Sequence, residues 1–334
     1  MAHRPRVNIA ILGDGGWGTT LAIHLAQLGH RPRLWGAFPD YVKVLQRRRE
    51  NPKFLLGIAI PKTVQITADL AAAASADILV LAVPSQHLRG VLRRLRRVRR
   101  PARQRIISVA KGIERRTLKC MSEVVRDELG RVPLAVLSGP NIAREIAEGY
   151  PANSVIASRD HALARELQQV LMSERLRIYT STDVTGVELG GALKNPLAIA
   201  AGISDGLGFG ANTKAALVAR GVLEMARLGE AMGARDTTFW GLSGLGDLIT
   251  TCLSGRNHWL GEQLGRGRSL KAVLASTHMV IEGVETSSAA MALGRRHRVE
   301  LPIIEQVHAI LFRGRPPRKA LHALMGRSRK AEST

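Results

Sequence analysis

Val7-Asn8-Ile9-Ala10-Ile11-Leu12-Gly13-Asp14-Gly15-Gly16-Trp17-Gly18-Thr19 is the stretch on which the fold turns. Val7 to Leu12 is short and nearly all apolar, as a strand buried on both faces requires. It runs straight into Gly13, Gly15 and Gly18, which satisfy G-x-G-x-x-G, and Thr19 to Leu28 then reads as a helix stopped by Gly29. In such a strand–turn–helix, Gly13 permits the tight turn, Gly15 lets backbone approach a pyrophosphate, and Gly18 lets helix pack on strand. The helix start adds free N–H groups and the positive end of its dipole. The expectation is a dinucleotide-binding turn.

Working outward, strand-like and helix-like segments alternate through the first half. Strands are expected at Arg33–Trp35, Val64–Thr67, Ile78–Val83, Arg105–Ala110, Leu134–Ser138, Ser154–Ala157 and Leu176–Thr180, with helices such as Pro39–Arg48, Leu118–Leu129 and His161–Leu171 between them. That order implies an α/β, Rossmann-type, doubly wound and mainly parallel sheet with helices on both faces. From about Thr182 the β signal ends, and Ala211–Met232, Thr286–Arg296 and Ile303–Phe312 carry helical patterns. The expected domains are therefore 1–185 for the dinucleotide and an all-helical 186–334 for substrate and catalysis. The basic tail from Gly326 is expected to fray.

Ligands of an open parallel sheet bind beyond the carboxyl ends of its strands. The loops that leave those ends are Gly13–Gly18, Val83-Pro84-Ser85-Gln86, Lys111-Gly112-Ile113 and Gly139-Pro140-Asn141. Lys111 leaves its strand where its ammonium can reach a ligand, against the plainer reading of a solvated surface lysine. The ribose-binding acid expected after the second strand is missing, because that stretch reads Trp35-Gly36-Ala37-Phe38-Pro39-Asp40 and Asp40 is placed to cap the next helix. NAD and NADP both stay open, with Arg47 to Arg49 as a candidate counter-charge for a 2′-phosphate.

In the helical half, Lys194 stands in Leu189-Gly190-Gly191-Ala192-Leu193-Lys194-Asn195-Pro196-Leu197 with almost no charge on its C-terminal side. An amine in such surroundings loses solvation, which moves its pKa toward the range useful for proton transfer. A snorkelling lysine at a helix edge is the competing reading. Asp247, in Gly244-Leu245-Gly246-Asp247-Leu248, is either a partner for Lys194 or a helix N-cap. Arg256 and Asn257, after Ser254-Gly255, can hold a phosphate. Cys252 has nothing spaced to activate it and reads as a small buried residue.

Whole-chain numbers narrow the classes. The chain has 334 residues, which favours two domains, and its 45% hydrophobic and 23% charged content excludes a disordered chain. Only two cysteines occur, Cys120 and Cys252, far apart and in no metal-ligand spacing. A disulfide scaffold and a metal site are not expected, and a reducing cytoplasm is. His3, Arg4 and Arg6 precede an apolar run too short for a signal peptide, and Leu70–Val83, the longest membrane candidate, contains Asp77. The net charge of +22 includes eight arginines between Leu92 and Ile106. Such a field attracts phosphorylated metabolites, anionic lipid surfaces and nucleic acid alike. The run carries no aromatics for base stacking, so a solvated helix face is favoured over a nucleic-acid site, and peripheral contact with an anionic membrane stays open.

Taken together the motifs resemble one family, the bacterial-type NAD(P)-dependent glycerol-3-phosphate dehydrogenases. The matching stretches are Gly13–Thr19, Asn51–Pro61, Val83-Pro84-Ser85, Ala110-Lys111-Gly112, Leu137–Pro140, Leu189–Asn195, Ser204–Gly210, Gly244–Leu248, Arg256-Asn257 and Ile281-Glu282-Gly283, in family order over nearly the whole chain. The resemblance implies an oxidoreductase that reversibly interconverts dihydroxyacetone phosphate and sn-glycerol 3-phosphate with NAD or NADP, feeding phospholipid synthesis in the cytoplasm, as a homodimer. By position it implies Lys194 as acid/base with Asp247 and Lys111 in the catalytic set. Lys111, Gly139, Asn141, Lys194, Asp247, Gly255, Arg256 and Asn257 fall at substrate positions. Gly13, Gly15, Gly16, Trp17, Gly18, Ala37, Pro84, Lys111, Ala143, Arg256, Val280 and Glu282 fall at cofactor positions. Departures from the family stand out. The loop between Cys252 and Arg256 is short and Gly255 stands where the family has a serine, so that a hydroxyl contact to substrate is either lost or supplied by Ser254. Asn141 replaces a hydroxyl residue, and Ala37 a larger polar one. A dehydrogenase of the same architecture acting on a β-hydroxyacid or 6-phosphogluconate is the nearest rival, and a nucleic-acid or acidic-membrane binder is the rival of another class.

Overall fold

The computed structural model describes residues 7–326; His3, Arg4, Arg6 and the tail beyond Gly326 lie outside the described residues. The chain forms two compact units. One takes the chain up to Glu114 together with Lys119–Glu188, the other takes Arg115–Leu118 and the chain from Leu189 onward.

The strands are β1 (Ile9–Leu12), β2 (Arg33–Trp35), β3 (Glu50–Asn51), β4 (Leu55–Ala59), β5 (Gln65–Thr67), β6 (Ile78–Leu81), β7 (Arg105–Ser108), β8 (Leu134–Ser138), β9 (Ala152–Ala157) and β10 (Leu176–Ser181). Eight of them form one sheet in the order β10-β9-β8-β7-β6-β1-β2-β5. The central strands are apolar because both faces are covered. Ile9 and Ile11 of β1 face one core with Leu21, Val42 and Leu163, while Ala10 and Leu12 face another with Leu88, Leu92 and Val124. The chain runs outward one way from β1 through β2 to β5, then returns to place β6 on the other side of β1. The β1/β6 boundary is therefore the topological switch point, where ligands of such sheets bind.

The helices of this part are α1 (Gly16–Gln27), α2 (Pro39–Arg48), α3 (Leu70–Ala74), α4 (Ser85–Arg96), α5 (Met121–Leu129), α6 (Ala143–Glu148) and α7 (His161–Leu171). Three features differ from the sequence expectation. Helix α1 starts at Gly16, because the last residues of the glycine turn are already helical. Strands β9 and β10 pair parallel with each other, but β9 is antiparallel to β8, so this pair runs against the rest of the sheet. A small β3–β4 hairpin, unforeseen in the sequence, fills the connection after α2.

The start of the arginine run, Arg93, Arg94 and Arg96, lies on the last turn of the amphipathic helix α4, while Arg97 caps it, Arg99, Arg100 and Arg103 follow in the connection, and Arg105 opens β7. Leu88, Val91, Leu92 and Leu95 of α4 are buried, while Arg93 and Arg96 pair outward with Glu128 at 3.1 and 3.9 Å. Arg94 lies over the Trp35 ring, 5.5 Å from its centroid. Several acids of this unit are buried, Glu188 among them. Glu188 accepts the Ser122 N–H at 2.7 Å and the Ser122 hydroxyl, and burial pushes its carboxyl from the ordinary 4.5 up to about 7.

From Thr182 on, every described element is helical: α8 (Val184–Gly206), α9 (Ala211–Ala231), α10 (Asp236–Phe239), a π-helical turn (Leu242–Gly246), α11 (Asp247–Leu253), α12 (Arg256–Gly265), α13 (Leu270–Ala275), α14 (Glu282–His297), α15 (Pro302–Arg313) and α16 (Pro317–Met325). The chain passes from the first unit to the second within α8, after Glu188. Helices α8 and α12 approach backbone to backbone. A methyl on Gly202 would overlap the His258 carbonyl, one on Gly206 the Glu262 carbonyl, and one on Gly261 the Ile199 carbonyl. Gly202/Gly206 and Gly261/Gly265 thus form two facing small-residue ridges, each one helical turn long. No helix among the described residues is long and apolar enough to cross a membrane.

Candidate active site

In the first unit the site is made of backbone. Gly13 has φ +122°, and a methyl there would lie 2.6 Å from the Ala82 carbonyl oxygen at the end of β6. Gly18 is more constrained, since a methyl on it would overlap the Gly13 carbonyl. A side chain on Gly15 would meet nothing within 4 Å, so the turn opens toward the strand ends at that residue. Gly15 is also the N-cap of α1 and contributes no side-chain cap, which leaves the first N–H groups of the helix for a ligand. A tight turn, an open approach and an uncapped helix start fit the pyrophosphate of a dinucleotide. The turn is braced from outside, since Asn51 Nδ2 donates to the Asp14 carbonyl and to Thr19 Oγ1, both at 2.8 Å. The Thr20 hydroxyl donates to the Ala143 carbonyl at 2.9 Å, tying the start of α6 to α1.

Around this turn the other expected cofactor residues fall as follows. Pro84 is the N-cap of α4, directly after the loop that meets Gly13. Ala37 is exposed one residue beyond buried Gly36. Asp40 does not cap α2; Phe38 is the N-cap, and the Asp40 carboxylate reaches solvent, 3.1 Å from Lys43. Arg49, a candidate counter-charge for a 2′-phosphate, instead donates to the Ile60, Pro61 and Val64 carbonyls, because the β3–β4 hairpin brings those groups to it.

Lys111 leaves the end of β7 and donates to the Gly139 carbonyl at 2.8 Å, which joins two of the expected strand-end loops. Gly139 sits at φ +150°, with the Asn153 carbonyl only 2.9 Å from where its Cβ would be. Asn141 is anchored on β9, where its Oδ1 accepts from the Ser154 hydroxyl at 3.1 Å and its Nδ2 donates to the Asn153 carbonyl at 3.3 Å.

In the second unit the site is made of side chains. Lys194 is buried on α8, and its ammonium donates to Asp247 Oδ1 at 2.7 Å and to Thr251 Oγ1 at 2.6 Å. The register of this meeting comes from one turn earlier on both elements. A methyl on Gly190 would lie 2.5 Å from the Ser243 carbonyl, so α8 and the π-helical turn touch there. Four residues further on, Lys194 and Asp247 come into line. Asp247 opens α11 but spends its carboxylate on Lys194 rather than on capping. Removing either charge would leave the other buried and unpaired, a situation worth about 3–5 kcal/mol. Thr251, one helical turn after Asp247, was not anticipated from the sequence; the i, i+4 spacing of Asp247 and Thr251 on one helix is the signal that would have found it.

Gly255 has φ +107° and is the N-cap of α12, which opens at Arg256 without a side-chain cap. Arg256 is exposed and donates to the Val280 carbonyl at 3.0 Å, so these two expected cofactor positions are neighbours, with Glu282 opening α14 just beyond. Asn257 is buried and cross-links three helices. Its Nδ2 donates to Asn195 Oδ1 at 2.9 Å and its Oδ1 accepts the Gly283 N–H at 2.9 Å. Asp205 of α8 likewise gathers Lys214 and His258, each at 2.7 Å; burial pushes its carboxyl up, but the hydrogen bonds from Lys214 and His258 outweigh it and hold the carboxyl below the usual range. Burial pushes the Cys252 thiol up to about 12, which keeps it a packing residue. Among the described residues no cluster of three or more His, Cys, Asp or Glu is arranged to hold a metal.

Two family models match the chain. The one described as NAD-dependent glycerol-3-phosphate dehydrogenase N-terminus covers residues 8–164, and its C-terminus counterpart covers 183–322. A glycerol-3-phosphate dehydrogenase [NAD(P)+] of Salinibacter ruber is 47% identical over 331 residues, 97% of this chain and 96% of the relative. One from Desulfitobacterium hafniense is 44% identical over 97% of this chain and 92% of its own length. The crystal structure of glycerol-3-phosphate dehydrogenase from Coxiella burnetii superposes with a TM-score of 0.93 at 38% identity, covering 96% of this chain and 99% of that one.

Proposed function

The chain belongs to the NAD-dependent glycerol-3-phosphate dehydrogenase family, and on that premise we propose how its residues perform the reaction. It is an NAD(P)-dependent oxidoreductase that interconverts dihydroxyacetone phosphate and sn-glycerol 3-phosphate. The observation that carries the assignment of roles is the buried Lys194 ammonium on Asp247 and Thr251.

When bound, the nicotinamide supplies a hydride to C2 in the reductive direction and receives it in the other. Reduction of a ketone also needs one proton at the oxygen, and Lys194 is the group that gives it. The ammonium donates to the C2 oxygen as negative charge develops there, and the resulting amine takes the proton back in the oxidative direction. Asp247 and Thr251 hold Nζ in one position, so the proton is delivered without a search over lysine rotamers. The substrate phosphate is assigned to the uncapped start of α12 and the Arg256 guanidinium, which offer N–H donors and positive charge to an anion. Gly255, at φ +107°, makes the turn into that helix without a side-chain cap. Asn257 contributes mainly by fixing α12 against Asn195 and Gly283. Lys111, Gly139 and Asn141 are assigned to the substrate, and Gly13 to Gly18, Ala37, Pro84 and Ala143 to the dinucleotide, with Arg256, Val280 and Glu282 as its contacts in the second unit.

The product is the three-carbon phosphate backbone that glycerophospholipids are built on. A cytoplasmic setting belongs to the same reading, supported by Cys120 and Cys252, both buried and unbridged. So does a homodimer, which sedimentation at micromolar concentration checks. The test of the reaction is loss of nicotinamide absorbance on mixing the protein with dihydroxyacetone phosphate and either NADH or NADPH. Rapid oxidation is expected; no oxidation with either cofactor would send the assignment to another phosphorylated ketone. Arg256→Ala should raise KM for dihydroxyacetone phosphate by about ten- to a hundredfold through lost charge-assisted bonds, and an unchanged KM would remove Arg256 from the phosphate site.

A further inference from the structure

Strand β2 ends at Trp35, and Gly36, Ala37 and Phe38 after it carry no acid. In dinucleotide-binding sheets this is where a carboxylate accepts the adenosine ribose hydroxyls. Asp40 is turned away, its side chain 97% exposed and paired with Lys43. Yet a carboxylate does reach the place, delivered by the glycine turn. A methyl built on Gly36 would lie 2.8 Å from Asp14 Cγ and would overlap Oδ2. The Asp14 carboxylate therefore fills the space that a side chain at the end of β2 would fill.

That carboxylate is unfinished as a hydrogen-bonding group. Asp14 Oδ2 is buried, has no hydrogen-bond partner, and lies against Gly36 beside the Val42 methyl. Burial raises the Asp14 carboxyl above its ordinary value, with its own backbone and the charge of Lys53 pulling the other way. A hydroxyl donor at this position would satisfy an oxygen that the folded chain leaves bare. The cations that would favour a phosphate there are committed or distant in role. Arg49 is turned onto the Ile60, Pro61 and Val64 carbonyls, and Arg47 and Arg48 are exposed in the last turn of α2. Lys53 rests over the Tyr41 ring, 4.5 Å from its centroid.

We propose that Asp14 is the ribose-reading residue, accepting hydrogen bonds from the adenosine 2′- and 3′-hydroxyls, and that its charge sets a preference for NAD over NADP. The proposal rests on the reading of the glycine turn as the dinucleotide site. Its place in the chain is unusual, because the acid comes from within the glycine turn while β2 supplies only the glycine that makes room for it.

The test is equilibrium binding by calorimetry, with the full-length protein, ADP-ribose and 2′-phospho-ADP-ribose, and no turnover. Wild type is expected to bind ADP-ribose at least about tenfold more tightly than its 2′-phosphate, the usual scale for one specific charged contact. Asp14→Asn, which keeps the size and removes the charge, should bring the two affinities within about twofold by weakening the first and strengthening the second. Asp14→Ala should do the same, and circular dichroism of both variants checks that they fold. A folded Asp14→Asn that keeps the wild-type preference overturns the proposal, as does a wild type that binds the 2′-phosphate equally well or better through Lys53. Binding of neither ligand to wild type overturns it together with the dinucleotide site, whereas equal binding of both overturns it alone.

Discussion

The glycine turn of the first unit and the buried amine of the second are built from opposite materials. At the turn, side chains have been removed so that backbone can approach backbone: Gly13 meets Ala82, and Gly18 meets Gly13. At the amine, backbone is hidden and three side chains converge, with Lys194 held by Asp247 and Thr251. A backbone site binds by shape and by N–H groups that every residue type carries. A side-chain site can place one proton donor, but it needs partners to hold that donor still. The difference predicts different failures, in binding for the first and in chemistry for the second.

The largest effect should come from Lys194→Ala. Turnover is expected to fall by at least about a thousandfold, within the range for loss of a positioned proton donor, while ADP-ribose affinity stays within about twofold. Near-normal kcat would break the division outright. Gly18→Ala is next. Its methyl would overlap the Gly13 carbonyl, so α1 must move off β1, at about 2–4 kcal/mol of stability in urea unfolding and with loss of ADP-ribose binding. Wild-type binding in that variant would mean that close backbone approach is not what builds the turn.

Glu188 sharpens the comparison, because it is a buried side-chain contact in the unit whose glycine turn is built of backbone. Its folded carboxyl titrates near 7 against an ordinary 4.5, so between those values the folded protein holds a proton that the unfolded chain has released. Stability should be highest below about pH 4.5 as far as this group is concerned, and should fall by about 3 kcal/mol as pH rises from there through 7. Glu188→Gln should flatten that slope between pH 5 and 8 in urea unfolding and leave kcat unchanged; a slope that persists would assign it to other groups. The smallest effect is expected of Thr251→Val, which keeps Lys194 paired with Asp247 but frees one of its donors. A drop in kcat of about five- to tenfold with KM unchanged would show that Thr251 positions the amine, and no change would remove Thr251 from that role.

Legibility in the sequence follows the same line. The backbone site could be read because it is written in one stretch, with β1, three spaced glycines and α1 in unbroken order. All eight strands of the main sheet were visible as apolar runs bounded by turns. Apolar runs have no direction, however, so the reversal of β9 and β10 could not be seen, and the β3–β4 hairpin is too short to show alternation. In the second unit Lys194 and Asp247 each stood out as a charge in an apolar setting. Their contact spans 53 positions and depends on Gly190 meeting Ser243, which no spacing rule encodes. The Asn195–Asn257–Gly283 link was hidden for the same reason, as was the reach of Asp14 toward Gly36.

The glycine ridges where α8 meets α12 carry a consequence for inheritance. Every glycine codon is one base from codons for residues that bear a Cβ, and none of its missense neighbours lacks one. At Gly202, Gly206 and Gly261 each such change therefore puts a carbon into a neighbouring carbonyl, and the helix displaced is the one that carries Lys194. Selection at those codons should act on the first base change rather than on the severity of the replacement. The seam is a place where this gene has no small steps to take.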